Sequence, residues 1–185
     1  ILFGLLVLTT ASIELSSKNF QEPFHYLFRQ IAYLLFSILI CSIFLYLSSE
    51  NLKKLSKLFY LASFLLLCLV IIPGLGHTVN RSMRWLSYGG FNIQPSEFFK
   101  LFYIVWICAY LDYNKKNIGN FGIFIFPFIV LSFAIVVLIR QPDFGTIIVL
   151  FIMTLLILFF AKARYIHIIS IGVVGFIGAS LLIFS

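Results

Sequence analysis

Residues 91–111 read FNIQPSEFFKLFYIVWICAYL, and residues 140–160 read RQPDFGTIIVLFIMTLLILFF. Each stretch places a Gln-Pro pair and an acidic side chain at the head of a long apolar run. Proline suits the first helical position, because its missing N–H would have no partner there anyway. Pro95 and Pro142 are therefore expected to start helices, with Gln94 and Gln141 at the caps. Glu97 and Asp143 then fall in the first turns, where the positive end of the helix dipole favours an anion.

The surrounding chain identifies the medium. Of its 185 residues, 62% are hydrophobic and 10% charged, whereas soluble domains run roughly 45–50% apolar and about 25% charged. Apolar runs at 1–13, 30–49, 57–73, 95–112, 118–139, 144–161 and 166–185 predict about seven transmembrane helices, since a spanning helix needs about 20 mostly apolar residues. Backbone polar groups in lipid must be satisfied within their own segment, so these runs are helical. Long alternating strands of a membrane barrel are absent. The expected fold is an all-α polytopic membrane protein. No polar linker divides it, so residues 1–185 are expected to form one transmembrane domain. Its first helix is expected to be clipped and its last to continue past Ser185, as in a fragment of a longer protein.

The charge of +7 reads as topology rather than as a sign of nucleic acid. Lys53, Lys54 and Lys57, then Lys115 and Lys116, then Lys162 and Arg164 fall in alternate loops and mark the cytoplasmic side. Both Gln-Pro motifs then open to the outer face. The runs NLKKLSKL (51–58) and DYNKKN (112–117) are expected to be solvated cytoplasmic turns, and EPFHYLFRQ (22–30) an interfacial approach to the second helix. Cys41, Cys68 and Cys108 sit inside apolar runs and are expected to be small buried hydrophobes. His25 and His77 are isolated, and His167 flanks the cytoplasmic basics. No metal spacing is present.

Glu97 and Lys100 lie three apart, which puts them on one helix face. Lys100 sits about 8 Å below the helix start at 1.5 Å per residue. Charges at that depth usually face a cavity and mark a substrate path. The competing reading is a shallow ion pair with Lys100 reaching outward. The preceding loop, GLGHTVNRSMRWLSYGGFN, combines Arg81, Arg84, Trp85 and Tyr88 with glycines at 74, 76, 89 and 90. Arginine's planar fork suits phosphate, so the loop fits an anionic, lipid-anchored ligand. Ordinary headgroup contact fits it too. Asp143 divides evenly between a plain helix cap and a site residue.

The run GLGHTVNRSMRWLSYGGFNIQPSEFFK, followed by QPDFGT, resembles the SEDS family (shape, elongation, division and sporulation proteins). TTAS near the N-terminus and EPFHYLFRQ make it more similar to the division branch than to the elongation branch. The resemblance covers essentially all 185 residues. It implies about seven helices of a ten-helix bundle in the bacterial plasma (inner) membrane, at the division septum. It also implies a peptidoglycan glycosyltransferase that polymerises lipid II, an undecaprenyl-pyrophosphate disaccharide-pentapeptide, on the outer face. The implied partners are a class B penicillin-binding protein and other divisome proteins, with no nucleic acid. No cofactor is evident, a divalent cation being the one candidate.

By position, Arg84, Gln94, Glu97 and Lys100 match the family's loop and fourth-helix motif, and Gln141 and Asp143 the motif opening the sixth helix. These six are the substrate-binding candidates. Lys100 and Arg84 are assigned to pyrophosphate or to an ion pair with Glu97, and Asp143 to shaping the cavity. The family's catalytic aspartate lies in a His-Thr-Asp context after the seventh helix, and no residue here matches it. No catalytic residue is therefore expected within these 185. Asn92 stands where some division relatives carry a basic residue. The alternatives are a lipid II flippase, an elongation-type polymerase, or a scaffold that only recruits septal proteins.

Overall fold

The computed structural model describes residues 2–72, 76–79, 82–88 and 91–184. Its helices are α1 (Leu2–Phe20), α2 (His25–Tyr46), α3 (Ser49–Leu69), α4 (Pro95–Tyr113), α5 (Phe121–Arg140), α6 (Phe144–Phe160) and α7 (Tyr165–Phe184), with a 3-10 turn at Lys115–Asn117. The seven expected helices are present. The segment expected to be a plain loop also carries three short strands, β1 (Gly76–Val79), β2 (Ser82–Tyr88) and β3 (Phe91–Ile93). They form an antiparallel sheet in the order β1-β2-β3, pairing His77 with Trp85 and Tyr88 with Phe91.

Two boundaries differ from expectation. NLKKLSKL is the start of α3 rather than a turn, because nothing in it breaks a helix and lysine and leucine favour one. His25 already begins α2, so the stretch read as an interfacial approach is largely helical. Among the described residues, α2 and α5 are long and apolar enough to cross a membrane. Charges inside α3 and α4, namely Lys53, Lys54 and Lys57, then Glu97, Lys100 and Asp112, interrupt the apolar runs of those two helices.

The chain divides into two compact units, residues 1–49 and 50–185. In the first, α1 and α2 pack together across a turn where Ser16 Oγ donates to the Glu22 carbonyl. The second is built of stripes. Leu131, Ala134 and Leu138 of α5 continue the line of Phe124 and Pro127, alternating three and four apart. Thr146, Leu150, Thr154 and Leu158 of α6 recur every fourth residue. Both spacings keep one helix face inward. From α4, Phe99, Tyr103, Trp106 and Ile107 fill the space between. Tyr60 and Phe64 of α3 meet these rings at centroid distances of 5.2 to 6.4 Å.

The outward faces are apolar: Phe133 and Val136 of α5 are each 62% exposed. Inside lie Ser56, Ser63, Ser96, Gln141, Asp143 and Thr154. Apolar residues outside and polar ones within suit a bundle solvated by lipid. Cys41 and Cys108 are exposed on such faces rather than buried, and Cys68 is partly so. On α7 the Phe151 ring of α6 occupies the space a Cβ would need at Gly175.

Pro127 interrupts the α5 hydrogen-bond ladder. With no N–H at 127, the Ile123 carbonyl loses its usual donor. The Tyr110 hydroxyl of α4 donates to it at 3.4 Å. One turn on, Tyr103 Oη lies 3.3 Å from the Pro127 carbonyl and 3.0 Å from Thr154 Oγ1 of α6. The hydroxyl of Tyr60 reaches the Val130 carbonyl at 3.5 Å. Tyr110 of α4 thus supplies the donor that Pro127 removes, Tyr60 and Tyr103 add further contacts to α5 carbonyls, and α4 is tied to both α5 and α6.

Tyr103→Phe is expected to cost about 1 kcal/mol in unfolding experiments on the purified protein, the scale of a buried polar contact in a membrane bundle. Tyr110→Phe should cost a similar amount. Its cost should fall towards zero in a Pro127→Ala background, where the restored N–H takes over the Ile123 carbonyl. A double-mutant cycle measures that coupling.

Candidate functional site

The two Gln-Pro motifs sit at one end of the 50–185 unit, where α3 and α5 finish and α4 and α6 begin. At the first motif Gln94 is the N-cap of α4 and Pro95 its first residue, as expected. The Gln94 amide does not cap the helix. Its Nε2 lies 3.1 Å from Oγ of the buried Ser96 in the first turn. Glu97 and Lys100 project together, with Nζ 2.8 Å from Oε1. The Lys100 side chain is 23% exposed and that of Glu97 57%. The ammonium is thus drawn partly inward while its counter-ion faces outward.

The second motif does not mirror the first. α5 runs through Arg140 with Gln141 at its C-cap, and α6 starts at Phe144 with Asp143 as its N-cap. Pro142 therefore precedes the helix instead of starting it. Asp143 sits two helix positions earlier than expected, in the cap and not the first turn. The reason is local chemistry. Aspartate is a strong N-cap, and here Oδ2 accepts from the Thr146 hydroxyl at 2.8 Å and Oδ1 from the Thr146 N–H at 3.4 Å.

Gln141 is buried, and its Nε2 donates to the Leu67 carbonyl near the end of α3 at 2.8 Å. That bond uses a carbonyl of the last helical turn, which has no intrahelical donor. Gln141 therefore joins α3 to the α5–α6 turn, and the amide is committed to protein.

Arg84 comes from β2. Its Nε donates to the Gln141 carbonyl at 3.3 Å, its Nη2 to the Pro142 carbonyl, and its Nη1 lies 3.7 Å from Asp143 Oδ1. The arginine fork spans the whole Gln-Pro-Asp turn. The expected ion pairing of Glu97 is met by Lys100 alone, because strand pairing aims Arg84 at α6. Among the described residues no hydrogen bond or ion pair joins Glu97–Lys100 to Arg84–Asp143. The sheet brings them to the same end, since β2 packs on α4 and β3 leads straight into it.

Thr146, Ser96 and the Leu67 carbonyl were not among the sequence candidates. The Asp-x-x-Thr spacing of 143–146 is a capping signal that points to Thr146. YGGF, a two-glycine step between alternating apolar residues, is a hairpin signal that points to the sheet. Arg81 and Gly74, Gly89 and Gly90 lie outside the described residues, as do the side chains of Tyr88 and Asn92. No three His, Cys, Asp or Glu side chains converge among the described residues, and no step is assigned to a divalent cation.

Residues 1–185 match a family described as cell cycle protein, FtsW/RodA/SpoVE. The chain is 35% identical over 185 residues to a probable peptidoglycan glycosyltransferase FtsW of Allochromatium vinosum, covering 99% of this chain and 46% of that protein. Its counterpart in Haemophilus influenzae is 36% identical over 176 residues, covering 95% and 44%. Among solved structures, Thermus thermophilus rod shape determining protein RodA superposes with a TM-score of 0.69 at 25% identity, over 97% of this chain and 58% of that one. A chain from a structure titled for the coordination of polymerization and crosslinking by a peptidoglycan synthase complex gives 0.71 at 26%, over 98% and 52%. The chain spans about half the length of the curated relatives it matches.

Asp143→Ala removes both Thr146 contacts and the counter-charge of Arg84. It is expected to lower unfolding stability by about 1–2 kcal/mol, at the upper end for an N-cap. Asp143→Asn should lose less. Arg84→Ala should raise amide hydrogen exchange across 82–88 and leave the α5–α6 core protected, which mass spectrometry resolves.

Proposed function

On the premise that this chain belongs to the FtsW/RodA/SpoVE family of cell cycle proteins, we propose that it forms the substrate-holding part of a peptidoglycan glycosyltransferase. The substrate is lipid II, and the product is a glycan strand on the outer face of the bacterial plasma membrane. The observation that carries this reading is the end of the 50–185 unit where β2 straps the Gln-Pro-Asp turn and α4 opens beside it with Lys100 and Glu97. Cationic groups there border helix faces that are apolar and exposed. A ligand with a hydrocarbon tail and a diphosphate head needs both.

In this reading each side chain has a distinct role. Lys100 presents a compact ammonium to phosphate, and Glu97 holds it until the ligand competes. Arg84 has donors left over on its Nη atoms, and its main contribution is positional: it holds the loop across the turn. Gln141 and Gln94 shape the floor through Leu67 and Ser96. Asp143 is buried and doubly engaged with Thr146, so it shapes the cavity and is not the base. Transfer joins the acceptor sugar's 4-oxygen to the donor's anomeric carbon and breaks the bond to the diphosphate. Charge builds on that leaving group, and cations facing it lower the barrier. The hydroxyl proton passes to a base, a role given to no residue of these 185.

The relatives named FtsW support the septal branch over the elongation branch. The likeness to a peptidoglycan synthase complex supports a crosslinking partner of the class B penicillin-binding type.

Full-length protein with its transpeptidase partner and labelled lipid II should give glycan ladders on a gel. Lys100→Ala should lower the rate about tenfold or more, the scale for losing a charge-stabilising contact. Arg84→Lys keeps charge but loses the fork and should lower it less. Lipid movement between leaflets without polymer would make the protein a flippase instead. Cysteines at 84 and at the exposed position 140 should react with impermeant reagent from outside the cell. Complementation of a division-defective but not a rod-shape-defective strain checks the branch.

A further inference from the structure

The opposite end of the 50–185 unit gathers cations that the motif end does not share. Lys53 Nζ lies 2.6 Å from Asp112 Oδ2, and Lys115 Nζ 4.0 Å from Oδ1. That pairing closes the start of α3 onto the end of α4 and the 3-10 turn. The hydrogen bond to Asp112 raises the Lys53 pKa, so Lys53 stays charged there. Arg164, just ahead of α7, lies along Gly119, where a Cβ would come within 3.4 Å of its Nε. His167 packs its ring on Phe121 and Phe124, at 5.1 and 5.3 Å. These contacts bring the α3–α4 ends and the α6–α7 turn onto one surface.

Lys54, Lys57, Lys116, Lys162 and Arg164 are exposed on it, and they form no ion pair among the described residues. Nearby acids amount to Glu50 and the already paired Asp112. Next to the cations stand exposed apolar and aromatic side chains: Leu58, Phe160, Tyr165 and Ile166 are 60% to 78% exposed. Phe121 is also exposed. Cations backed by exposed tyrosine, phenylalanine and leucine match the boundary between headgroups and hydrocarbon. An acidic soluble protein would have no use for the apolar part.

We propose that this collar binds the phosphate headgroups of anionic phospholipids and thereby holds the α3–α4 ends against the α6–α7 turn. Arg164 offers a two-pronged donor to a phosphate, and the lysines supply charge around it. Attraction between polybasic segments and an anionic leaflet fades beyond a Debye length, so the contact is salt-sensitive.

The test uses the purified full-length protein in nanodiscs of phosphatidylcholine with and without phosphatidylglycerol. Native mass spectrometry counts the lipids that remain on the ejected protein. Phosphatidylglycerol should be retained in preference to phosphatidylcholine, and high salt during reconstitution should abolish the preference. Each of Lys116→Gln, Lys162→Gln and Arg164→Gln should weaken retention on the order of fivefold. Arg140→Gln, exposed at the other end, should leave it unchanged. Lys116→Arg and Lys162→Arg keep the charge and should retain lipid, which separates binding from misfolding. Equal retention of both lipids, or equal loss in Arg140→Gln, overturns the proposal.

Discussion

A backbone carbonyl in hydrocarbon finds no water, and the protein has to supply its donor. Most of this chain answers with the helix ladder itself. Where Pro127 breaks that ladder, the answer comes from α4: Tyr110 serves the Ile123 carbonyl, and Tyr103 adds a contact to the Pro127 carbonyl. Those bonds fix how α4, α5 and α6 lie together. They also give tyrosine hydroxyls a place in a core otherwise built mainly of leucine, isoleucine and phenylalanine.

The same requirement acts at the helix ends. Asp143 meets the Thr146 N–H in the first turn of α6, Gln141 reaches a carbonyl at the end of α3, and Arg84 covers the carbonyls of Gln141 and Pro142. A turn that satisfies its own polar groups so fully is rigid. At the neighbouring α4 head, Lys100 and Glu97 pair within one turn of the same end. Polar end groups and apolar flanks are thus two results of one solvent constraint.

Much of this was legible in the chain. The apolar runs located seven helices, because crossing a membrane demands length and apolarity in one uninterrupted segment. The i, i+3 spacing of Glu97 and Lys100 gave a local pair, and local pairs survive any tertiary arrangement. Where local rules compete, the reading went astray. Pro142 could start a helix or precede a cap, and the stronger cap at Asp143 prevailed. NLKKLSKL looked like a solvated loop by charge, yet its residues favour a helix, and charged side chains at a helix start can remain in water.

The sequence by itself determined the membrane class, the helix count, the cap at Gln94-Pro95 and the Glu97–Lys100 pair, since each follows from composition or from neighbours within one turn. Only the tertiary structure decided that Arg84 clasps Asp143 instead of Glu97, that Gln141 binds Leu67, and that Tyr110 takes the carbonyl Pro127 leaves open. Those partners are separated by many residues along the chain. Their meeting depends on strand register and helix rotation, which packing sets and no short-range pattern encodes.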